Sequence, residues 1–140
     1  MASESLAIDI SAAQETVWRV IADVESWPQW TRSMTAVQRL DDGPFRAGSR
    51  ARVKQPGLPS MVWQVTGITE GAEFTWVTRT AGAVATAIHR LEETPAGTRL
   101  TLTVTWSGIF AGVVAAMAGK QTRKYLALET AGAKARAEAA

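Results

Sequence analysis

Between Met34 and Trp106 apolar and polar residues alternate with a period of two, and from Ile109 the period lengthens to that of a helix. The alternation predicts strands at 34–41, 48–55, 61–69, 73–80, 83–93 and 98–107. They are divided by Asp42-Gly43-Pro44, Gly57-Leu58-Pro59, Glu70-Gly71, Ala81-Gly82 and Pro95-Ala96-Gly97. Connections this short make neighbouring strands antiparallel. Parity then sorts their faces. Leu100, Leu102, Val104 and Trp106 share one side of the last strand, opposite Arg99, Thr101, Thr103 and Thr105. Phe74, Trp76 and Thr78 form an inner set in the same manner, joined by Val53, Trp63 and Val65. In the strand at 83–93, Ala85, Ala87, His89 and Leu91 share a face, so an inward Leu91 implies an inward His89.

Upstream, Leu6, Ile8 and Ile10 alternate with Ala7 and Asp9 in a short first strand. Ser11 and Gln14 have capping-box spacing and predict a helix starting at Ser11. Val17, Ile21 and Val24 supply its buried side, with Trp18 and Val20 on the flanks. Pro28 removes a donor and restricts the residue before it, so Glu25 to Thr31 is predicted to be a second short helix or turn.

Downstream, Gly108 ends the last strand and one long amphipathic helix is predicted from Ile109 to about Arg136. Phe110, Val113, Val114, Met117, Gln121, Tyr125 and Leu128 fall in one stripe, with Lys120, Arg123 and Glu129 off its centre. That stripe needs a partner, and the strands supply the only apolar surface large enough. A sheet curved around the helix follows. Gln121, polar in mid-stripe, either hydrogen-bonds inside the fold or marks a place where helix and sheet leave a space. Ala111, Gly112, Ala115, Ala116, Ala118 and Gly119 permit close approach or leave volume unfilled. Past Gly132 the pattern dissolves into Ala, Lys, Arg and Glu, and the tail after about 132 is expected to fray.

At 140 residues the chain reads as a single domain, 1–140, able to bury a core without staples. It has no cysteine, which excludes disulfides, thiolate metal sites and a Cys nucleophile. Met1 to Leu6 lacks the regions of a signal peptide and no apolar run has the length that spans a bilayer, so the expectation is a cytoplasmic protein without stable membrane insertion. Fifteen basic against thirteen acidic side chains give a formal charge of +2. The basic Arg50, Arg52 and Lys54 alternate with Ala51 and Val53 as on a solvated strand face, and no nucleic-acid partner is expected. Six tryptophans, Trp18, Trp27, Trp30, Trp63, Trp76 and Trp106, change the picture more, because large rings line cavities as well as cores.

The order of a strand, two small helices, a six-stranded meander and a long final helix resembles the START-like helix-grip fold. That is the birch-pollen-allergen-like (SRPBCC) superfamily, which includes bacterial polyketide cyclase/dehydrase and lipid-transport-like proteins. Val17-Trp18-Arg-Val-Ile-Ala-Asp23 followed by Trp27-Pro28-Gln29-Trp30 is similar to the family's opening, and Gly48 to Val53, Trp63 to Val65, Phe74 to Trp76, His89 to Leu91 and Gly97 to Leu100 match the strands that follow. The resemblance implies an α+β fold, a curved antiparallel sheet of about seven strands wrapped around the long helix. Its motifs are structural and identify a fold better than a reaction. Many relatives have a proline where Ala13 stands and a large apolar residue near Ala133; the second departure implies a looser C-terminal end.

His89, the only histidine, is a candidate general base or ligand contact, although no carboxylate shares its strand face to orient it. Trp18 and Trp27 read as wedges beneath the small helices, with Trp27 and Pro28 shaping a cavity entrance. The candidate ligand-binding residues are Trp30, Val53, Trp63, Trp76, His89, Trp106, Phe110, Met117, Gln121 and Tyr125. One His and no Cys offer no metal set, there is no glycine-rich phosphate loop, and no cofactor is expected. The leading expectation is a module that binds a small hydrophobic or aromatic molecule, lipid- or polyketide-like, between sheet and helix. A polyketide cyclase or dehydratase with His89 moving protons is the second reading. A regulatory or interaction protein, for instance one acting as a homodimer, is the third.

Overall fold

The computed structural model describes residues 2–80 and 82–140. Strand β1 (Ala2–Ile10) leads to helix α1 (Gln14–Ala22) and a 3-10 helix (Val24–Gln29). Then come β2 (Ala36–Arg39), β3 (Arg50–Lys54), β4 (Met61–Thr69), β5 (Glu73–Thr80), β6 (Ala83–Thr94) and β7 (Gly97–Ser107), and α2 (Ala111–Glu138) closes the order. The strands form one antiparallel sheet in the order β1-β7-β6-β5-β4-β3-β2. The meander pairs in sequence, and β1 closes beside β7 with Ala2 opposite Trp106 and Ile10 opposite Thr98. This is the α+β helix-grip architecture. Of the turn at Ala81-Gly82, Ala81 lies outside the described residues, as does Met1.

The parity of the strands is the parity of the core. Phe74, Trp76, Thr78, His89, Leu91, Leu100, Leu102 and Trp106 are all buried, while Arg90, Arg99 and Arg79 are exposed. Between Val65 and Gly67 the β4–β5 register shifts. The extra residue of this bulge lets Ile68 pack against the core where a regular strand would have offered Gly67. Helix α2 makes its main sheet contacts with β1 and β7 and fewer with β6. It therefore lies toward one side of the curved sheet, and the inner face of β3 to β5 diverges from it.

Several expectations are corrected. Ser11 does not cap α1: the helix begins at Gln14 with Ala13 at its N-cap and no side-chain cap bond. The Ser11 amide instead donates to the Glu138 carboxylate at 2.8 Å, and the Gln14 side-chain amide donates to the Gly71 carbonyl at 2.8 Å. Tertiary contacts have taken both members of the supposed box. The first strand starts earlier than alternation predicts, at Ala2, because pairing with β7 carries it. The strand expected at 34–41 is reduced to Ala36–Arg39 at the sheet edge.

The C-terminal segment, expected to fray, is helical to Glu138, and Ala133 and Ala137 are buried. A Cβ built on Gly132 would stand 2.1 Å from the Trp30 carbonyl oxygen, so α2 approaches the end of the 3-10 helix as closely as a backbone without a side chain allows. Small residues here are a docking surface. Lys134 Nζ donates to the Asp9 carbonyl at 3.0 Å and Arg136 to Gln29 Oε1 at 3.0 Å, which fasten the same end.

A final correction concerns the face of α2. Its buried residues include Ala111, Tyr125, Leu126, Glu129, Thr130, Ala133 and Ala137, whereas Met117 is 82% and Val113 58% exposed. The predicted stripe is rotated. Side-chain size was a poor guide because the helix turns its small residues inward and several large ones outward.

Candidate functional site

A cavity of about 320 Å³ lies between the inner face of the sheet and α2. Its walls follow from strand parity: Val53 from β3, Met61 and Trp63 from β4, Trp76 and Thr78 from β5, Ala85, Ala87 and His89 from β6, and Val104 and Trp106 from β7. Helix α2 adds Val114, Ala118, Gln121, Thr122, Tyr125, Leu126 and Glu129. Alanines on both facing elements are what keep the space open, since each truncates a wall that a larger side chain would fill.

Of the candidates read from sequence, Val53, Trp63, Trp76, His89, Trp106, Gln121 and Tyr125 line this cavity. Phe110 and Met117 do not. Phe110 caps the N-terminus of α2 and is 51% exposed, and its ring covers Gly82, where a built Cβ would fall 2.1 Å from Phe110 Cδ2. Trp30 lines a separate small space of about 10 Å³, next to Trp27, His89, Glu129 and Ala133. Its indole nitrogen is buried and has no partner among the described residues. Trp27, read as a wedge, is both wedge and wall: its Nε1 donates to the Ile21 carbonyl at 3.1 Å, and its ring faces the cavity. Pro28, in mid-3-10 helix, is not among the lining residues.

The rings of Trp27, Trp63, Phe74, Trp76 and His89 form one connected group. Trp27 meets Trp76 edge-on at 5.3 Å between centroids, Trp63 lies 5.7 Å from Trp76, and the His89 ring stacks on Phe74 at 4.0 Å with only 9° between planes. His89 Nδ1 is 3.3 Å from the Phe74 carbonyl. A carbonyl only accepts, so the neutral ring carries its proton on Nδ1 and turns Nε2 into an acceptor. Burial lowers its pKa from 6.5 to about 4, the bond to Phe74 opposing that shift in part. His89 is therefore neutral near pH 7.

Glu129 is the residue that sequence reasoning missed. It is 8% exposed and lines both spaces. Ser33 Oγ donates to its Oε1 at 3.2 Å, and Ser33 is held in turn by Thr31 Oγ1 at 2.8 Å. Because Ser33 gives its only hydroxyl proton to Glu129, the Thr31 hydroxyl donates to Ser33. Burial raises the Glu129 pKa from 4.5 to about 7, with the Ser33 bond pulling the other way. The available signal was spacing: Tyr125, Glu129, Ala133 and Ala137 recur every fourth residue.

Gln121 resolves both of its alternatives at once. It lines the cavity, and its Nε2 lies 3.4 Å from the Pro56 carbonyl and 2.9 Å from the Tyr125 hydroxyl, which itself donates to Pro56. Two side chains of α2 thus hold the β3–β4 loop, whose Gln55, Leu58 and Pro59 also border the cavity. A Cβ at Gly57, φ +78°, would meet Gln121 Nε2 at 3.2 Å, so glycine serves both the turn and the contact. Among the described residues no three His, Asp or Glu side chains gather as a metal site, and no helix is long and apolar enough to cross a membrane.

Comparison with known proteins agrees with this geometry. Uncharacterised proteins of Mycobacterium bovis (Mb2604) and Mycobacterium tuberculosis (Rv2574) are each 30% identical over 111 residues, covering 69% of this chain and 60% of theirs. The match thus spans about 60% of the length of these relatives. Among solved structures, the Zhui aromatase/cyclase from a Streptomyces species is similar with a TM-score of 0.79 at 15% identity, over 98% of this chain and 93% of that one. The protein TTHA0849 from Thermus thermophilus gives 0.78 at 16% identity, over 99% and 98%. At these identities the structures speak for the fold alone. The sequence profile described as polyketide cyclase / dehydrase and lipid transport matches residues 1–138, and the chain belongs to that family.

Proposed function

We propose that the protein binds a small hydrophobic or aromatic molecule in the cavity between sheet and α2. The observation that carries this reading is the cavity itself, about 320 Å³ walled by tryptophans and alanines, within the range of small-molecule sites. His89 Nε2 and the Glu129 carboxyl supply the few convergent polar groups such sites use for orientation. An environment-sensitive apolar dye should bind saturably and quench tryptophan fluorescence. Ala87→Phe, which puts a ring into the space, should abolish binding while leaving a cooperative unfolding transition. Absence of saturable binding by the native protein, or undiminished binding by a folded Ala87→Phe, overturns the proposal.

A second reading, a cyclase or dehydratase of polyketide-like substrates, is favoured by one observation: His89 and Glu129 border the same cavity. Membership of the polyketide cyclase / dehydrase and lipid transport family points the same way. With a pKa of about 4, His89 is a weak base near neutrality, so hydrogen bonding is its better-supported role. His89→Gln should weaken a bound ligand by about 1 kcal/mol. Loss of turnover by about 100-fold or more at retained affinity would instead establish the catalytic reading.

A further inference from the structure

The charge of the cavity wall discriminates among ligands more sharply than its shape. Among the described residues Glu129 is the one carboxylate that lines the space, and no Lys or Arg lines it. The rings of Trp27, Trp63, Trp76, Trp106 and Tyr125 line the same space. Aromatic faces carry negative electrostatic potential and attract cations, most strongly for tryptophan. An anionic ligand would meet neither a counter-charge nor a favourable ring face. His89 provides no positive charge, because its ring is neutral above about pH 4.

We propose that the preferred ligand is an aromatic or apolar amine, bound as its ammonium with Glu129 as counter-ion and the tryptophan rings around it. This rests on the container reading above and narrows it. The immediate surroundings of Glu129 support the pairing. The segment after the 3-10 helix offers Trp30 and the Ser33 hydroxyl, which donates to one carboxylate oxygen at 3.2 Å. The 3-10 helix offers Trp27, α1 Ile21, β6 the neutral His89, β7 Leu100 and Leu102, and α2 Ala133. The second oxygen has no hydrogen-bond partner among the described residues. A buried carboxylate without a cation is costly, and a ligand ammonium offsets that cost where a neutral or anionic ligand cannot.

The test uses three probes that share a naphthylethyl group, naphthylethylamine, naphthylethanol and the bulkier naphthylpropionate, with binding followed by calorimetry. An alkyl ammonium stays charged well above neutrality. At about pH 8, where Glu129 is mainly ionised, the amine should bind roughly tenfold or more tighter than the alcohol, and the propionate weakest. At about pH 5.5 protonation of Glu129 should shrink the preference several-fold. Glu129→Gln keeps an acceptor for Ser33 but removes the counter-charge, so it should weaken the amine roughly tenfold or more and abolish its preference over the alcohol. An alcohol or propionate that binds as tightly as the amine at about pH 8, or a preference that survives Glu129→Gln, overturns the inference and leaves the container intact. Failure of all three probes to bind the native protein overturns both.

Discussion

Replacing His89 with Gln, and separately Glu129 with Gln, should uncover two pH dependences of stability that offset one another in the native protein. Burial displaces the two groups in opposite directions, His89 from 6.5 to about 4 and Glu129 from 4.5 to about 7. Between pH 4 and 6.5 the unfolded state binds the His89 proton more readily than the folded state. His89 therefore contributes stability that is present above 6.5 and lost as pH falls toward 4. Between pH 4.5 and 7 the folded state holds the Glu129 proton more readily. Glu129 contributes stability that is present below 4.5 and lost as pH rises through 7. At about 1.4 kcal/mol per pH unit, each displacement is worth about 3 kcal/mol. The windows overlap, so the native sum is nearly flat. Urea unfolding of the three proteins from about pH 4 to 8 measures this directly. Relative to the native protein, His89→Gln should lose about 3 kcal/mol as pH rises from about 4 to 6.5, and Glu129→Gln should gain about as much from about 4.5 to 7. Asp9, Asp41 and Glu138, whose pKa values are lowered, are common to all three and drop out of the differences. Profiles parallel to the native one within about 1 kcal/mol would refute the burial argument for both groups.

Two glycines of α2 should respond with opposite signs. Gly119→Ala, whose Cβ would meet nothing closer than 3.4 Å, should stabilise by about 0.5–1 kcal/mol through helix propensity. Gly132→Ala must push α2 off the Trp30 carbonyl and should destabilise by about 1–3 kcal/mol in thermal or urea unfolding, so a neutral Gly132→Ala would contradict the close approach. Tyr125→Phe removes the hydroxyl held by Pro56 and should speed dye release from the cavity several-fold in stopped flow, at a stability cost of about 1 kcal/mol; an unchanged release rate would show that the β3–β4 loop does not restrain the ligand.

Strand faces were legible because a period of two reports a face at every second residue, and β5, β6 and β7 are long enough to repeat the report. His89 and the tryptophan walls came with them. The face of α2 was only partly legible: Val114, Gln121 and Tyr125 of the predicted stripe line the cavity, but Ala, Thr and Glu also turn inward while Val113 and Met117 face solvent. Glu129 reads as surface charge in sequence because the hydroxyl that anchors it, Ser33, is 96 residues away. Ser11 looked like a cap for the converse reason: spacing within a single helical turn is visible, and a competing carboxylate 127 residues downstream is not. The docked tail escaped notice because an alanine fits a tight seam as well as it fits a frayed end, and only the opposing Trp30 distinguishes the two.

The seating of Gly132 on Trp30 also separates two tasks along one helix. The half from Leu126 to Ala137 fixes where α2 lies, through Ala133, Ala137 and the glycine contact. Val114, Ala118 and Thr122, one strip at successive four-residue steps, border the cavity in the other half. Exchanging residues on that strip would change the volume offered to a ligand without touching the surface that positions the helix. On the binding role proposed above, selectivity for ligand size is thereby free to diverge between homologous proteins while the scaffold stays constant.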